Sequence, residues 1–365
     1  MPSKRRNLLA ASSGGSEYGL FSTGLNTTGQ LGLDNTDVVL APTHVSADDW
    51  SSVSAMGGST AALKTDGTVW TWGRSNFGQL GNGTTVGISS PAQVGALTDW
   101  AVIGVQSNSV SAIKTNGTLW AWGRGFGGQL GDGTTVNKSS PVQIGALTNW
   151  AKTGPGTNFG LAIKTDGTLW AWGSGYWGTL GLGNTTYYSS PVQVGALTTW
   201  ESVDGGNTHA SAIKTDGTLW AWGRNNSGEL GIGNTTQTNS PVQVGALTTW
   251  AKVSAATNHT MAIKDDSTLW AWGSNGKGEL GDGTTANKSS PVQIGALTTW
   301  SKVYAGYFAT VAIKTDGTLW SWGKGTAGQL GHGNTTYYSS PVQVGADTTW
   351  TNASTKEATF MLKSA

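Results

Sequence analysis

Large and small residues alternate along short stretches of this chain, which is the pattern of a β-strand rather than of a helix. In Leu119–Trp122, the side chains of Trp120 and Trp122 point to one face and the small Ala121 points to the other, because successive strand residues alternate. Both faces are apolar, so both are expected to be buried. The bulky face of one unit is predicted to pack on the small face of the next.

Turn signals separate these strands. Asp166-Gly167 lies between the strand-like runs 161–164 and 169–170, and Asp-Gly favours a hairpin turn in which both central residues have positive φ. The same signal recurs at 66–67, 116–117 (as Asn-Gly), 216–217 and 316–317. Asp266-Ser267 lacks the glycine, so we expect a slightly strained turn there. Further strands after Pro141 and Trp250 make four strands per unit, and no segment shows the 3.6-residue period of a helix.

The unit repeats every 50 residues. Of the 20 tryptophans, 19 keep this step: Trp50 and its equivalents up to Trp350, and the pairs from Trp70/Trp72 to Trp320/Trp322. Trp177 is the exception. Gly-Gln-Leu-Gly or a close variant occurs seven times, beginning at Gly29, Gly78, Gly128, Gly178, Gly228, Gly278 and Gly328. A fixed period of this length indicates a solenoid, an array or a propeller.

The two ends of the chain are complementary fragments of one unit. The segment Phe360–Lys363 matches the strand Val311–Lys314 and then stops, whereas Leu20–Gly24 matches Leu119–Gly123 and lacks the strands before it. Pairing the ends closes a ring and removes two exposed strand edges. We therefore predict an all-β, seven-bladed β-propeller of four-stranded blades over residues 16–365, with one blade closed jointly by the N- and C-terminal segments.

Composition and charge exclude several classes of function. The net charge is +1, whereas a nucleic-acid binder concentrates basic residues on one face, so no nucleic-acid partner is expected. The chain has no cysteine, which excludes disulfides, thiolate metal sites and cysteine nucleophiles. No apolar run reaches the roughly 20 residues of a membrane span, so no membrane insertion is expected.

Residues 1–15 precede the predicted ring as a flexible basic arm. Lys4, Arg5 and Arg6 are followed by Leu8-Leu9-Ala10-Ala11, an apolar run shorter than the about 7–15 residues of a secretory signal. The simpler interpretation is a mobile tail. The alternative is a tether that becomes ordered on a partner and anchors the ring to a larger assembly.

No set of residues for catalysis or for a cofactor recurs in the repeat. His209 and His259 occupy the same position in neighbouring units, where other units have Ser109, Phe159 and Ala309; this favours a structural histidine over a metal ligand. The Gly-Asp-Gly loops at 131–133 and 281–283 lack the ligand spacing of a calcium loop. No Ser-His-Asp arrangement or carboxylate pair is visible. We predict no metal, no cofactor and no enzymatic activity.

Two stretches differ from unit to unit while the rest stays nearly constant, and a third place carries paired tyrosines. Loops on a rigid scaffold often carry recognition, and exposed aromatic residues often anchor a partner; the alternative is drift at tolerant positions. One stretch follows Trp-Gly, and the other precedes the inner strand of the unit. The candidate binding residues are Phe77, Phe126, Tyr176, Trp177, Phe159, His209, His259, Tyr307, Phe308, Tyr187, Tyr188, Tyr337 and Tyr338.

The repeat resembles that of the RCC1 (regulator of chromosome condensation) family. The resemblance rests on Trp-Gly-x-x-x-x-Gly-Gln-Leu-Gly-x-Gly, as in Trp122–Gly133, and on Asn258–Ile263 followed by Leu269–Gly273, and it covers about residues 16–365. It implies a seven-bladed ring whose termini share one blade. The founding member of that family is an exchange factor for the GTPase Ran on chromatin, and other relatives are secreted or bacterial.

Three functions follow as hypotheses. The first is a non-enzymatic protein-interaction or structural module, for example a component of a phage virion or a cell surface, because the surface is rich in Ser, Thr, Asn and Gly and poor in charge. The second is an exchange-factor-like regulator of a small GTPase. The third is a carbohydrate-binding ring, in which repeated aromatic residues stack on sugars; the pairs Tyr187-Tyr188 and Tyr337-Tyr338 motivate it. The composition favours a virion or extracellular surface, with the cytoplasm as the alternative location.

Overall fold

The predicted strands form seven antiparallel sheets of four strands each. The computed structural model describes residues 18–105 and 107–363. Blade 1 comprises β3 (Trp50–Met56), β4 (Ser59–Lys64), β5 (Val69–Gly73) and β6 (Ile88–Gln93). Blade 2 comprises β7 (Trp100–Val105), β8 (Ser109–Lys114), β9 (Leu119–Gly123) and β10 (Lys138–Gln143). Blade 3 comprises β11 (Trp150–Thr153), β12 (Phe159–Lys164), β13 (Leu169–Gly173) and β14 (Tyr188–Gln193). Within the described residues, the one helical element is a 3-10 turn at Tyr176–Gly178.

The remaining blades repeat the same arrangement. Blade 4 comprises β15 (Trp200–Gly205), β16 (His209–Lys214), β17 (Leu219–Gly223) and β18 (Thr238–Gln243). Blade 5 comprises β19 (Trp250–Ala255), β20 (His259–Lys264), β21 (Leu269–Gly273) and β22 (Lys288–Gln293). Blade 6 comprises β23 (Trp300–Ala305), β24 (Ala309–Lys314), β25 (Leu319–Gly323) and β26 (Tyr338–Gln343). Blade 7 comprises β27 (Trp350–Thr355), β28 (Ala358–Lys363), β1 (Gly19–Gly24) and β2 (Val39–Ser46).

The first strand of each blade, which begins at Trp50 or an equivalent tryptophan, lines the central channel. Residues of all seven first strands surround one cavity. The second strand of each blade, which the sequence predicts to be an inner strand, lies next to the first strand and further from the cavity. In blade 2, for example, β8 lies between β7 and β9 and is buried along its whole length. A middle strand has neighbours on both edges, whereas the channel strand leaves one edge towards the cavity.

Bulky and small faces pack between blades as predicted. Leu119 and Ala121 of blade 2 form one apolar cluster with Trp150 and Trp172 of blade 3. The Trp172 indole also donates a hydrogen bond of 3.0 Å to the carbonyl of Gln129 in blade 2. A buried tryptophan removes roughly 150–250 Å² from water, and satisfying its N–H avoids the cost of burying an unpaired donor. The tryptophan period thus sets the contact between neighbouring blades.

A lysine at the end of the second strand of each blade covers the neighbouring tryptophans. In blade 4, the Lys214 ammonium lies 3.6 Å from the ring centroid of Trp220 and 5.1 Å from that of Trp200. Cations over indole faces are attracted by the ring quadrupole. Burial lowers the pKa of Lys214, while the charge of Asp216 in the next turn opposes the shift. This lysine recurs in every blade and has a structural role that sequence reasoning did not identify.

The expected strain at the turn of blade 5 is present. Ser267 has φ of 61°, whereas the equivalent residues Gly67, Gly117, Gly167, Gly217 and Gly317 reach the same region without a side chain. Asp266 accepts hydrogen bonds from the backbone and hydroxyl of Thr268 at 2.9 and 2.6 Å, which lower its pKa. The equivalent turns have the same contact, with Asn116 in place of the aspartate in blade 2.

Candidate functional site

The variable stretches of sequence lie on one face of the ring. The end of the first strand, the start of the second and the end of the third meet at the same edge of an antiparallel blade. The Arg124 amide donates to the Asn108 carbonyl at 2.9 Å, and the Lys324 amide donates to the Phe308 carbonyl at 2.8 Å. We call this surface, made of the turns between first and second strands and the loops between third and fourth strands, the loop face.

Several predicted aromatic residues are exposed on the loop face. The exposed fractions are 76% for Phe126, 57% for Tyr176, 56% for Tyr187 and 40% for Tyr337. The half-buried ones are Phe77, Trp177, Tyr307, Phe308, Tyr188 and Tyr338. Exposed aromatic side chains of this size are the residue type that most often anchors protein contacts.

In each of the two tyrosine pairs, one ring is exposed and the other packs against the protein. Tyr188 and Tyr338 begin the fourth strands of blades 3 and 6 and pack on the apolar clusters between blades. The Tyr338 hydroxyl accepts a hydrogen bond from the Asn334 amide at 3.2 Å. Tyr187 and Tyr337 point outward. Each pair therefore offers one exposed ring, and the two rings belong to blades that are not neighbours.

Cations lie over the aromatic rings of the loop face. The Arg124 guanidinium is 5.4 Å from the Phe77 centroid and 6.0 Å from that of Phe126. Arg224 lies 5.5 Å from Trp177, and Lys324 lies 5.3 Å from Phe308. These cations share one repeat position, directly after Trp-Gly, which also holds Arg74 in blade 1. Comparing that position between repeats would have revealed them, but sequence reasoning considered only the aromatic residues.

Trp177 has an unusual backbone conformation. Its φ is 67°, in a region that a bulky residue rarely occupies. In blade 2, the amide of the equivalent Gly127 donates to the Gln129 side chain at 2.7 Å. In blade 3, Thr179 replaces that glutamine. The Thr179 hydroxyl donates instead to the Ser174 carbonyl at 2.6 Å. The loop therefore folds into the 3-10 turn and places the Tyr176 and Trp177 rings against each other, 4.9 Å apart.

Three candidate residues are internal and offer no contact surface. Phe159, His209 and His259 are 1%, 0% and 1% exposed, so their assignment to the binding loops is corrected. They begin the second strands, which neighbouring strands cover on both edges. The His209 Nε2 lies 2.9 Å from the Thr260 hydroxyl of the next blade, and the His259 Nε2 lies 3.2 Å from that of Thr310. Both histidines connect blades.

Both histidines are held neutral. The Thr260 hydroxyl donates to the Glu229 carbonyl, so the Nε2 of His209 must carry the proton and donate to Thr260. Burial, followed by the positive charge of Lys356, lowers the pKa of His209 to about 3. The same causes lower the pKa of His259 to about 3. This environment suits a structural hydrogen bond.

A cavity of about 530 Å³ opens on the loop face beside Tyr307 and Phe308. Lys324, Lys356 and Glu357 provide charged groups in its wall. Burial, followed by the negative charge of Glu357, raises the pKa of Tyr307, against a hydrogen bond from Ser107 across the ring. The cavity thus combines two aromatic rings with charges of both signs.

The carboxylates of the Gly-Asp-Gly loops are engaged within the protein. Asp132 lies 3.4 Å from the ammonium of Lys138, and Asp282 lies 3.4 Å from that of Lys288. Among residues 18–105 and 107–363, no cluster of three or more histidine or acidic side chains could hold a metal ion. The same residues contain no helix that is long and apolar enough to span a membrane. Lys4, Arg5 and Arg6 lie outside the described residues.

Comparison with known proteins agrees with the repeat. The model of the regulator of chromosome condensation (RCC1) repeat matches residues 66–107, 116–163, 166–213, 216–263, 266–313 and 316–354. A second model of the same repeat matches residues 50–79, 200–229, 250–279 and 300–329. Together with the closed ring, these matches define a propeller built from RCC1 repeats. The chain belongs to the RCC1 repeat family.

Solved structures share the fold. Prp20p from Saccharomyces cerevisiae, in work on its binding to Gsp1p and histones, is 20% identical, with a TM-score of 0.83 over 96% of this chain and 92% of its own. Yeast RCC1 (Prp20) bound to Kap60 is 19% identical, with a TM-score of 0.83 over 100% and 97%. Human WBSCR16 is 19% identical, with a TM-score of 0.84 over 95% and 100%.

Proposed function

We propose that this chain is a non-enzymatic interaction module that binds a protein partner through its loop face. The supporting observation is the group of exposed and half-buried aromatic residues, several of them beneath arginine or lysine side chains, on one face of a rigid ring. Aromatic and arginine side chains dominate binding energy at protein interfaces. Because the rings and cations are already placed against one another, little side-chain entropy is lost on binding.

Site-specific photocrosslinking tests this proposal. Benzoylphenylalanine at position 126 places the probe on the loop face, and the same residue at position 97 places it on the opposite face, where Leu97 is 45% exposed. In extract of the source cells, we expect a defined protein adduct from position 126 and none from position 97. Replacing Tyr176 by Ser should weaken the adduct. Equal adducts from both faces, or none from position 126, would contradict a loop-face partner.

Among finer functions, regulation of a small GTPase has more support than a role in a virion. The supporting observation is membership of the RCC1 repeat family, together with the reported binding of Prp20p to Gsp1p. We expect the ring at micromolar concentration to accelerate release of a fluorescent guanosine diphosphate analogue from Gsp1p. An unchanged release rate would count against this candidate while leaving a different protein partner open.

The other hypotheses have less support in the geometry. Sugar binding was motivated by the tyrosine pairs, of which only Tyr187 and Tyr337 are exposed, in separate blades. Attachment to a larger assembly through residues 1–15 stays a prediction. Co-sedimentation of the native protein with a particle, lost on deletion of residues 1–15, would support it.

A further inference from the structure

The central channel contains two charged residues where the repeat has neutral ones. The channel cavity measures about 190 Å³ and is lined by all seven blades. Counted from the first tryptophan of the blade, Asp204 occupies the fifth position, which elsewhere holds Ser54, Gly104, Gly154, Ser254, Tyr304 and Ser354. Lys356 follows the first strand of blade 7, where other blades have Met56, Gln106, Gly156, Gly206, Ala256 and Gly306.

The residue at the position of Asp204 accepts a hydrogen bond from the next blade, and this contact does not require a charge. Ser54 accepts a hydrogen bond from the Val105 amide of the next blade at 3.1 Å, and Ser254 accepts one from the Ala305 amide at 3.1 Å. Asp204 does the same through one carboxylate oxygen, which accepts from the Ala255 amide at 2.9 Å. A serine would maintain this contact between blades, so the negative charge is an addition to it.

Lys356 also has unused bonding capacity. Its ammonium donates to the Ala305 carbonyl at 3.1 Å, and an ammonium has three hydrogens to donate. Its side chain is half-buried and lines both the channel and the cavity beside Tyr307. The mouth of the channel therefore presents a cation with free donors.

The two charges face a common space without touching. Asp204 is in blade 4 and Lys356 is in blade 7, and no direct ion pair joins them. Burial raises the pKa of Asp204 and lowers that of Lys356, while the attraction between them opposes both shifts. Separated, partly desolvated charges of opposite sign are stabilised by a ligand that contributes a counter-charge to each.

We propose that the channel binds a small zwitterionic amino acid, with its ammonium group on the Asp204 carboxylate and its carboxylate on the Lys356 ammonium. A cavity of about 150 Å³ can hold benzene, so the channel accommodates an amino acid of six or seven non-hydrogen atoms, roughly the size of alanine or serine. The hydroxyls of Ser54 and Ser354 accept backbone amides and keep their own hydrogens for the ligand. The proposal does not rest on a loop-face partner, although Lys356 borders both the channel and the loop-face cavity.

Calorimetric titration of the full chain with L-serine tests the proposal. Asp204→Ser and Lys356→Met introduce residues that other blades already carry at these positions, so both variants should fold. We expect each to weaken L-serine binding by about 10- to 100-fold, the loss typical of a charged hydrogen bond. Asp37→Ser and Lys252→Met remove exposed charges outside the channel and should bind as the parent does. Acetate and methylammonium, with one charge each, should bind more weakly than L-serine.

Two results would overturn the proposal. One is the absence of binding heat and of a thermal shift with L-serine at millimolar concentration, which would leave Asp204 and Lys356 as a structural charge pair. The other is binding of acetate as tight as that of L-serine and unaffected by Asp204→Ser, which would identify a simple anion site. Circular dichroism and the melting temperature of each variant establish that lost binding does not reflect lost folding.

Discussion

Single residues differ between blades without changing the backbone that carries them. His209 and His259 occupy a position that holds Ser109, Phe159 or Ala309 elsewhere, and all five begin a second strand. What changes is the contact with the next blade. The histidines donate to threonines of the next blade, whereas Phe159 belongs to an apolar cluster that includes Ala210 and Trp222 of the next blade. The repeat therefore tolerates different solutions at one site.

The neutral histidines predict a pH dependence of stability. Their pKa is lowered to about 3 in the folded ring, from an ordinary value of 6.5, so the unfolded chain binds protons first as the pH falls. The stability that the neutral histidines contribute to the folded ring is complete above pH 6.5 and is lost as the pH falls towards 3. Each should contribute a loss of about 1.4 kcal/mol in the free energy of unfolding per pH unit between these values.

Denaturant unfolding of the parent and of His209→Ala/His259→Ala at pH 7, 5.5 and 4.5 measures this dependence. Alanine is the residue at the equivalent position 309. We expect the stability of the double variant to fall less steeply on acidification. Carboxylates titrate in both proteins, so their effect cancels in the comparison. Parallel curves would mean that the histidines are accessible to protons in the folded state.

Among the elements, blade 7 is set apart by its origin in both chain ends. β1 pairs with β28 over six residue pairs, from Gly19 with Lys363 to Gly24 with Ala358. Phe360 also packs against Trp72 of blade 1, with ring centroids 6.1 Å apart. The closing pair of strands therefore joins the ends to each other and blade 7 to its neighbour.

Removing β28 should open the ring. A chain that stops at Glu357 leaves β1 and β27 with unpaired edges, so we expect the cooperative thermal transition to be lost and protease sensitivity to rise. The matched control is a circular permutant of the same strands. It joins Lys363 to Gly19 through Thr-Asp-Gly, the turn sequence of other blades, and begins at Asp347. This permutant should retain one transition near that of the parent; an equally unstable permutant would contradict the closure argument.

For the molecule as a whole, the loop face can vary because the contacts between blades carry the stability. Phe126 is 76% exposed and Phe159 is 1% exposed, although both are aromatic residues in variable stretches. A surface ring contributes little to folding, whereas deleting a buried ring leaves a cavity. The binding surface and the scaffold are thus separable.

Paired substitutions measure this separation. Phe126→Ala should change the free energy of unfolding by less than about 0.5 kcal/mol and reduce partner binding, whereas Phe159→Ala should cost about 3–5 kcal/mol. Chemical denaturation and the photocrosslinking assay provide the two measurements. A large stability loss in Phe126→Ala would show that the exposed ring belongs to the core, and would weaken the loop-face proposal.

The amino-acid sequence by itself determined the ring. Strand alternation, Asp-Gly turns and the tryptophan period are local or periodic signals, so they can be recognised in the sequence alone. The complementary end fragments likewise predicted the shared blade. Only the tertiary structure decided which strand lines the channel and which variable residues are exposed. Phe126 and Phe159 look alike in sequence, and their burial depends on how neighbouring strands cover them. Asp204 and Lys356 lie 152 positions apart and share a cavity only because the ring closes.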